Sequence, residues 1–227
     1  MCGRYSQTLT PSQIDEAFGP ITLPGKGELS PNYNVAPTQH VPVITNRRPE
    51  ALSNFEWGLV PFWSKDGKNT ARMINARAEG ILDKPSFRKP IRERRCLVIG
   101  DSFYEWQRDG KRKQPFRIQP TNGEPLVLAG IWEHWRDKQD ETKEKYTFSI
   151  ITTEPNAEMA PIHNRMPVLL NAPGLREAWL GELSDDDITE LLHTPPDGSL
   201  QYYKVPPLVN SVRNNGPELH EPLREEA

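Results

Sequence analysis

Between residues 95 and 153 the sequence alternates strand-like runs with short turns, and this stretch most constrains the fold. Its clearest unit joins residues 103–108 to 114–119 through Asp109-Gly110, a dipeptide typical of tight β-hairpins. Further strand-like runs lie at 95–100, 126–135 and 146–153. Because no long helix separates these strands, the pattern predicts a mostly antiparallel, barrel-like sheet and not a parallel one.

Short helical patterns flank the strands. Thr10 before Pro11 predicts a capped helix that stops at Gly19, and Ser184 with Asp187 three residues later predicts another. We also expect helix within residues 73–82, 86–94 and 177–180. No internal repeat or linker divides the chain, so the fold class is α+β with short flanking helices. The domain is expected to cover residues 1–217, followed by an acidic, mobile tail at 218–227.

Composition narrows the function classes. No apolar run is long enough to span a bilayer and no signal peptide is evident, so we predict a cytoplasmic protein with no membrane partner. The two cysteines, without a secretory context, indicate a reducing compartment and no disulfide framework. The Cys and His residues show no metal-ligand spacing, so neither a metal nor any other cofactor is predicted.

Charge is unevenly distributed along the chain. The net charge is −3, which by itself argues against a nucleic-acid partner. However, residues 60–120 carry fifteen Lys and Arg against seven Asp and Glu, whereas residues 171–227 carry four against eleven. This asymmetry predicts one basic and one acidic face, unless the charges are merely scattered over the surface.

The N-terminal Met1-Cys2 pair offers a specific chemistry. Once Met1 is removed, Cys2 carries an α-amine and a thiol on adjacent carbons. The amine can attack an aldehyde to form a Schiff base, and the neighbouring thiol can then close a thiazolidine ring. Alternatively the thiol alone acts on an acyl group, or Cys2 has no chemical role.

Other polar residues could support such chemistry. Glu105 lies between Tyr104 and Trp106 in a predicted strand, where partial burial would raise its pKa and suit it to acid–base work. His163 lies beside Arg165 in a loop and could move protons near a phosphate. Taken singly, an exposed strand carboxylate and a surface or packing histidine are equally simple explanations.

Amide, guanidinium and aromatic side chains provide the remaining candidate residues for a binding site. Asn75 could orient an amine or a sugar hydroxyl, and Arg77 could bind a phosphate through two nitrogens. Trp63 and Trp106 could stack on unpaired bases, although either could be a core residue. Trp57 is expected in the core, and Cys96 is expected to be a buried structural thiol.

Together these segments match one family in its order. The chain resembles the SOS-response-associated peptidase family of abasic-site-processing proteins, also called the SRAP domain. The matching segments are Met1-Cys2-Gly3-Arg4-Tyr5, Asn34-Val35-Ala36-Pro37-Thr38, Trp57-Gly58-Leu59-Val60-Pro61, Asn75-Ala76-Arg77-Ala78-Glu79, Arg95-Cys96-Leu97-Val98, Phe103-Tyr104-Glu105-Trp106, Ala129-Gly130-Ile131-Trp132 and His163-Asn164-Arg165-Met166-Pro167.

The resemblance implies a function and a set of site residues. Such proteins bind abasic sites in single-stranded DNA and cross-link to them, so we expect that partner, a monomer, and localisation with the nucleoid when bound to DNA. The implied catalytic residues are Cys2, Asn75, Glu105 and His163, and the implied DNA-binding residues are Arg4, Arg77, Arg165, Trp63 and Trp106. Autoproteolytic removal of Met1 and lyase-type chemistry are implied as well.

The sequence departs from the family pattern in two places. Ile99-Gly100-Asp101-Ser102 replaces the usual Pro-Ala-Asp-Gly, which could alter the turn before Glu105. Asn164 replaces an Asp that could tune His163. Two other functions stay open: a cysteine peptidase acting on other proteins, and a non-covalent single-strand DNA binder in which Cys2 has no role.

Overall fold

A computed structural model describes residues 2–24, 29–68, 73–110 and 112–224. Its strands in chain order are β1 Tyr5–Gln7, β2 Asn32–Val35, β3 His40–Thr45, β4 Arg48–Trp57, β5 Asn75–Arg77, β6 Arg95–Gly100, β7 Ser102–Asp109, β8 Arg112–Pro120, β9 Leu126–Arg136, β10 Glu144–Thr153, β11 Met166–Pro167 and β12 Leu200–Lys204. Its α-helices are α1 Pro11–Phe18, α2 Pro90–Glu93, α3 Pro173–Leu180 and α4 Asp185–Leu191, followed by 3-10 turns at Pro207–Asn210 and Pro217–His220.

Five of these strands close into a barrel. Antiparallel pairing joins β4 to β3, β3 to β6, β6 to β9 and β9 to β10. The ring closes where β10 pairs with β4 in parallel, with Phe148 opposite Trp57. The predicted α+β fold, with a single domain built on a mostly antiparallel barrel-like sheet, is therefore confirmed.

Alternation along the strands divides the core into two layers. In β6, Cys96 and Val98 belong to one buried cluster, whereas Leu97 and Ile99 belong to the other. Since successive side chains point to opposite faces of a strand, one cluster fills the barrel and the other covers its outside. Burial of Trp57 and Cys96, which the sequence predicted, is confirmed.

Helices α1, α3 and α4 cover the outer layer. Their buried side chains Ile14, Trp179 and Ile188 pack in the same cluster as the outward residues of β6. Both predicted capping boxes are present: Thr10 caps α1 and Ser184 caps α4. No helix in the described ranges has the length and apolarity needed to cross a bilayer.

A second sheet, in the order β12-β8-β7-β1-β2, packs on the barrel. On one face Tyr5 and Phe103 join the cluster inside the barrel. On the other face Tyr104 packs against Val209 and Leu219 of the C-terminal segment. The strand order places β1, and with it the N-terminus, between β2 and the β7–β8 hairpin.

The C-terminal segment is packed further than the sequence suggested. Leu219 is buried, and the Leu223 amide donates a hydrogen bond of 2.7 Å to the Lys204 carbonyl oxygen. Residues 218–224 of the predicted mobile tail therefore contact the domain, because Leu219 has an apolar surface to cover beside Tyr104. Residues 225–227 lie outside the described residues.

Two helix predictions are wrong. Residues 73–82 form the strand β5 and turns, because Asn75 pairs with Ile150 at the edge of β10. Within residues 86–94 only the short α2 is helical. Pro90 has no N–H to donate, so the hydrogen-bond ladder of a longer helix is interrupted there.

Candidate active site

The N-terminal segment reaches the interior because it continues β1, which lies between β7 and β2 in the second sheet. Tyr5 pairs with Phe103, and the Arg4 carbonyl oxygen accepts a 2.9 Å hydrogen bond from the Tyr104 amide. This pairing carries Cys2 along β7 until it is completely buried beside the barrel. Met1 lies outside the described residues, so its predicted removal stays a prediction.

Asn75 contacts residue 2 directly. Asn75 is the first residue of β5, which runs parallel to β10. At this position its side-chain amide lies against the N-terminal segment. The Asn75 Nδ2 donates a 2.9 Å hydrogen bond to the Cys2 carbonyl oxygen. A donor at this distance fixes the backbone of Cys2, and therefore the positions of its nitrogen and thiol.

Glu105 is a buried carboxyl on β7. Only 3% of the residue is exposed, and burial raises its pKa to about 7. Glu105 is therefore a buried carboxyl and not an exposed one. At neutral pH the protonated and ionised forms are both populated, which is the condition for a group that donates and accepts a proton in turn.

The Cys2 thiol is held in its protonated form. Burial and the negative charge of Glu105 together raise its pKa to about 12, and this rise outweighs the opposing hydrogen bond from the Arg4 amide. A thiol with such a pKa is a weak nucleophile at neutral pH. Any reaction of this side chain therefore requires a nearby base or an electrophile that has already been activated.

His163 lies on the loop before β11. The Arg165 amide donates to His163 Nδ1 at 3.1 Å, and the same nitrogen lies 3.2 Å from the Arg165 carbonyl oxygen, so the backbone of Arg165 holds the ring in place. Burial and the charge of Arg108 lower the pKa of His163. Gln107 Nε2 donates to the Pro161 carbonyl oxygen at 2.9 Å and ties this loop to β7.

Glu105 and His163 line one cleft. Its volume is about 520 Å³, and its walls are formed by Glu105, Trp106, Arg108, Lys113, His163 and Asn210. Glu105 connects this cleft with the buried thiol, since its charge acts on the pKa of Cys2. The structure thus brings together three elements that are distant in sequence: the N-terminus, the β7–β8 hairpin and the loop before β11. Among the described residues, no group of His, Cys, Asp and Glu side chains is arranged to hold a metal.

Two of the predicted DNA-binding residues support each other near the cleft. Arg4 donates to Asn34 Oδ1 at 2.6 Å and to the Val209 carbonyl oxygen at 2.7 Å. Its guanidinium lies 5.9 Å from the centre of the Trp106 ring, and Trp106 Nε1 donates to Asn210 Oδ1 at 2.7 Å. The C-terminal segment therefore fixes the orientation of both side chains.

The other three predicted DNA-binding residues lie in different surroundings. Arg165 forms a two-nitrogen ion pair with Glu79, at 2.6 and 2.8 Å, which joins the His163 loop to the segment after β5. Arg77 is exposed at the end of β5. Trp63 is 49% exposed, so it is available to a partner and is not a core residue.

The turn that contains the first departure from the family pattern is anchored by Asp101, a residue that the family pattern also has. Asp101 accepts hydrogen bonds from Ser6 Oγ at 2.7 Å, from the Thr8 amide at 2.9 Å and from Arg117 Nη2 at 2.9 Å. These contacts hold the turn between β6 and β7. The second departure, Asn164, is exposed.

Sequence reasoning missed Arg108 and Lys113 in the cleft wall. The signal was present in the hairpin pattern. With a turn at Asp109-Gly110, residues 108 and 113 come directly opposite each other, close to Glu105.

Comparison with known proteins gives a consistent result. A family model described as SOS response associated peptidase (SRAP) matches residues 1–212. The Bacillus subtilis protein named abasic site processing protein YoqW is 43% identical, over 97% of this chain and 99% of its own length. The rat protein named abasic site processing protein HMCES is 31% identical, over 96% of this chain and 75% of its own length.

The fold is shared with solved structures. A crystal structure of a protein from Bacteroides thetaiotaomicron superposes with a TM-score of 0.88 at 28% identity, and the match covers 98% of this chain and 100% of that protein.

Proposed function

Because the chain belongs to the SOS response associated peptidase family, we propose that it recognises abasic sites in single-stranded DNA and bonds to them through Cys2. Relatives along nearly the whole length of the chain bear the name abasic site processing protein. The observation that carries the proposal is the convergence of Asn75 and Glu105 on residue 2, beside a cleft that also holds His163.

The first step is attack by the amine. Removal of Met1 leaves a free α-amine on Cys2, and this nitrogen adds to the C1′ aldehyde of the ring-opened abasic sugar. Loss of water then gives the imine. The Asn75 amide holds the Cys2 carbonyl at 2.9 Å and thereby fixes the direction from which the nitrogen approaches the aldehyde.

Glu105 moves the protons of this step. Its carboxyl form donates a proton to the departing hydroxyl, and its carboxylate form removes a proton from the attacking nitrogen. A pKa of about 7 makes both forms available in turn at neutral pH. His163, whose pKa is lowered by burial so that the ring is neutral at pH 7, promotes opening of the sugar ring to the aldehyde.

The thiol acts second. Once the imine is protonated, its carbon is electrophilic, and Cys2 Sγ adds to it while the thiol proton passes through Glu105 to solvent. The nitrogen, neutralised by the new C–S bond, becomes the ring amine of a thiazolidine. The raised pKa of the thiol favours this order, since a protonated thiol does not compete with the amine for the aldehyde.

Binding to DNA is assigned to the surrounding cations and aromatic rings. Arg4, Arg77 and Arg165 contact the backbone, and Trp63 and Trp106 stack on bases next to the lesion. We expect the protein to act as a monomer on nucleoid DNA, where the covalent link shields the lesion from cleavage. Elimination at the imine before ring closure would give lyase activity as a side reaction.

The test uses the two cysteines as a matched pair. An oligonucleotide with one abasic site is mixed with the parent, Cys2→Ala and Cys96→Ala proteins, and covalent products are resolved on a denaturing gel. Parent and Cys96→Ala should cross-link, and Cys2→Ala should give no heat-stable product. Equal cross-linking by Cys2→Ala would refute the covalent mechanism and leave a non-covalent DNA binder.

Removal of Met1 is assigned to the same side chains. Cys2 Sγ adds to the Met1 carbonyl carbon, the peptide C–N bond breaks with proton transfer to nitrogen, and water hydrolyses the thioester to release methionine. Glu105 supplies and removes the protons. Mass spectrometry checks this assignment: Glu105→Gln should retain Met1 although residue 2 is unchanged. Complete processing of that variant would show that another enzyme removes Met1.

A further inference from the structure

We propose that Arg108 and Lys113 form a phosphate-binding subsite that holds the DNA backbone next to the abasic nucleotide. The inference rests on the proposed function. It adds a specific binding site for the DNA strand on the side of the cleft formed by the β7–β8 hairpin. The ligand class is a phosphodiester of single-stranded DNA. Neither residue belongs to the matched family segments or to the predicted DNA-binding residues.

The hairpin places the two cations together. Arg108 on β7 is directly opposite Lys113 on β8. Side chains of directly opposed residues lie on the same face, and so does the side chain two positions along the strand, that of Trp106. All three residues line the cleft that contains Glu105 and His163. A nucleotide entering this cleft therefore meets an indole ring and two positive charges on one surface.

This arrangement is unfavourable for the free protein. Like charges directly opposite each other across two strands repel. Both side chains are exposed, and neither makes a side-chain hydrogen bond or ion pair within the described part of the chain. Other cations of the same basic region do have acidic partners, such as Arg92 with Asp185 and Arg117 with Asp101. An anion supplied from outside would relieve the repulsion at the hairpin.

The charge of Arg108 also reaches the reactive groups. It contributes to lowering the pKa of His163, so its guanidinium lies close enough to act on the imidazole. Arg108 follows Glu105 by three residues, or roughly 10 Å along an extended strand. A phosphate held there flanks the reacting carbon without covering it.

A phosphodiester fits these two groups better than a carboxylate does. It keeps its charge at any pH at which the protein is folded, and it has several oxygens to divide between a guanidinium fork and an ammonium group. DNA presents this group once per nucleotide. An abasic nucleotide offers no base to contact, so contacts to neighbouring phosphates are the main means of positioning it.

The experiment compares Arg108→Gln/Lys113→Gln with a charge-matched control, Arg47→Gln/Arg48→Gln. The control residues lie at the turn between β3 and β4, at the opposite end of β4 from Trp57, which packs against Tyr5. Cross-linking rates are measured on three oligonucleotides with one abasic site. One has a normal backbone, one has a neutral methylphosphonate on the 5′ side of the lesion, and one has it on the 3′ side.

The expected result has two parts. On the normal backbone the hairpin variant should react on the order of tenfold more slowly than the parent and the control, as expected for loss of a hydrogen bond to a charged group. The parent should lose a similar factor on one of the two methylphosphonate substrates, and the hairpin variant should lose nothing further on that substrate. Equal rates for the hairpin variant and the control, or an unchanged methylphosphonate penalty in the hairpin variant, would overturn the subsite.

A second measurement separates this subsite from the covalent mechanism. The affinity for an intact single strand is measured against salt concentration without any cross-linking. Loss of one phosphate contact should make the slope of log affinity against log salt shallower by about 0.7 in the hairpin variant only. If the parent forms no cross-link, the covalent proposal fails, and this slope alone decides the subsite: a slope equal to that of the control overturns it.

Discussion

The two cysteines occupy the same apolar core but have different surroundings. Cys2 and Cys96 are both completely buried and belong to the same cluster. Burial is the largest cause of the raised pKa of each thiol. By burial and acidity alone, the two side chains would be assigned the same inert role.

Their neighbours separate them. Cys2 lies beside the Glu105 carboxyl and the Arg4 amide, and Asn75 binds its carbonyl oxygen. Cys96 lies in the middle of β6, where its carbonyl oxygen accepts a hydrogen bond from Trp179 and its sulfur faces Gly130 of the next strand. Burial keeps a thiol protonated, whereas adjacent acid, base and amide groups determine whether it can react.

Replacing Cys2 by Ser should give the largest effect and sharpen the comparison. Cys2→Ser, prepared with residue 2 already exposed as the N-terminal residue so that no autoproteolysis is needed, keeps the α-amine but removes the sulfur that closes the ring. We expect an imine that borohydride traps, with no heat-stable link in the absence of reductant. Cys96→Ser is the matched control and should cross-link as the parent does. A heat-stable link formed by Cys2→Ser without reductant would contradict the assigned role of the thiol.

Glu105→Gln removes the acid–base group that distinguishes the two sites. For Glu105→Gln prepared with residue 2 already exposed as the N-terminal residue, we expect the cross-linking rate at neutral pH to fall by a factor of about 10²–10⁴, the usual contribution of a positioned proton-transfer group. Glu133→Gln is the control for the loss of a buried carboxylate. Glu133 is a buried residue of β9 that forms an ion pair with Arg94. A rate within a factor of about two of the parent for Glu105→Gln would exclude proton transfer by this residue.

The same substitution should stabilise the protein at high pH. Burial raises the pKa of Glu105 from 4.5 to about 7, so the folded state holds this proton more tightly than the unfolded state. The contribution of this group to the free energy of unfolding is therefore present below pH 4.5 and is lost as the pH rises through about 7. The total loss is about 3 kcal/mol. Denaturation at about pH 4 and pH 8 should show this loss in the parent and not in Glu105→Gln. Equal pH dependence of the two proteins would contradict the raised pKa.

Asn75→Asp tests positioning and should have a smaller effect on rate. The substitution keeps the size of the side chain but replaces the donor Nδ2 with an oxygen that cannot donate when ionised, facing the Cys2 carbonyl oxygen. We expect cross-linking to slow by about 10- to 100-fold, since small displacements of a reacting group cost factors of this order. Asn54→Asp, at an exposed position on β4, is the control. A parent-like rate for Asn75→Asp would remove Asn75 from the mechanism.

Local signals in the sequence predicted the elements that depend on near neighbours. Asp109-Gly110 specified the hairpin, where Gly110 has a φ of 57°, and Thr10 and Ser184 specified two helix starts. The same local pattern placed Glu105 within a strand, which is β7, but left open whether its carboxyl is buried or exposed. These features are decided by residues within a few positions of one another, so a single sequence contains them.

Non-local pairing could not be predicted in the same way. The barrel closes through Phe148 beside Trp57, and Asn75 lies on a three-residue strand that exists only because β10 offers an edge. Nothing near Asn75 distinguishes that strand from the predicted helix. Similarly, Arg165 was predicted on the DNA backbone, and its ion pair with Glu79 depends on the distance between two loops, which the sequence does not give.

The smallest effect on cross-linking is expected at Cys96, where the comparison predicts a purely structural role. A Cβ added at Gly130 would lie 2.8 Å from Cys96 Sγ and 3.0 Å from Val98 Cγ2, so Gly130→Ala should destabilise the barrel by about 1–3 kcal/mol. Cys96→Ala removes the closer of these atoms, and the double variant should recover about 1 kcal/mol relative to the sum of the single changes. Denaturation of the four proteins measures this coupling, and all four should cross-link abasic DNA at the same rate under conditions where they are folded. Loss of cross-linking in folded Cys96→Ala would show that the second thiol takes part in the chemistry, and the distinction between the two sites would then fail.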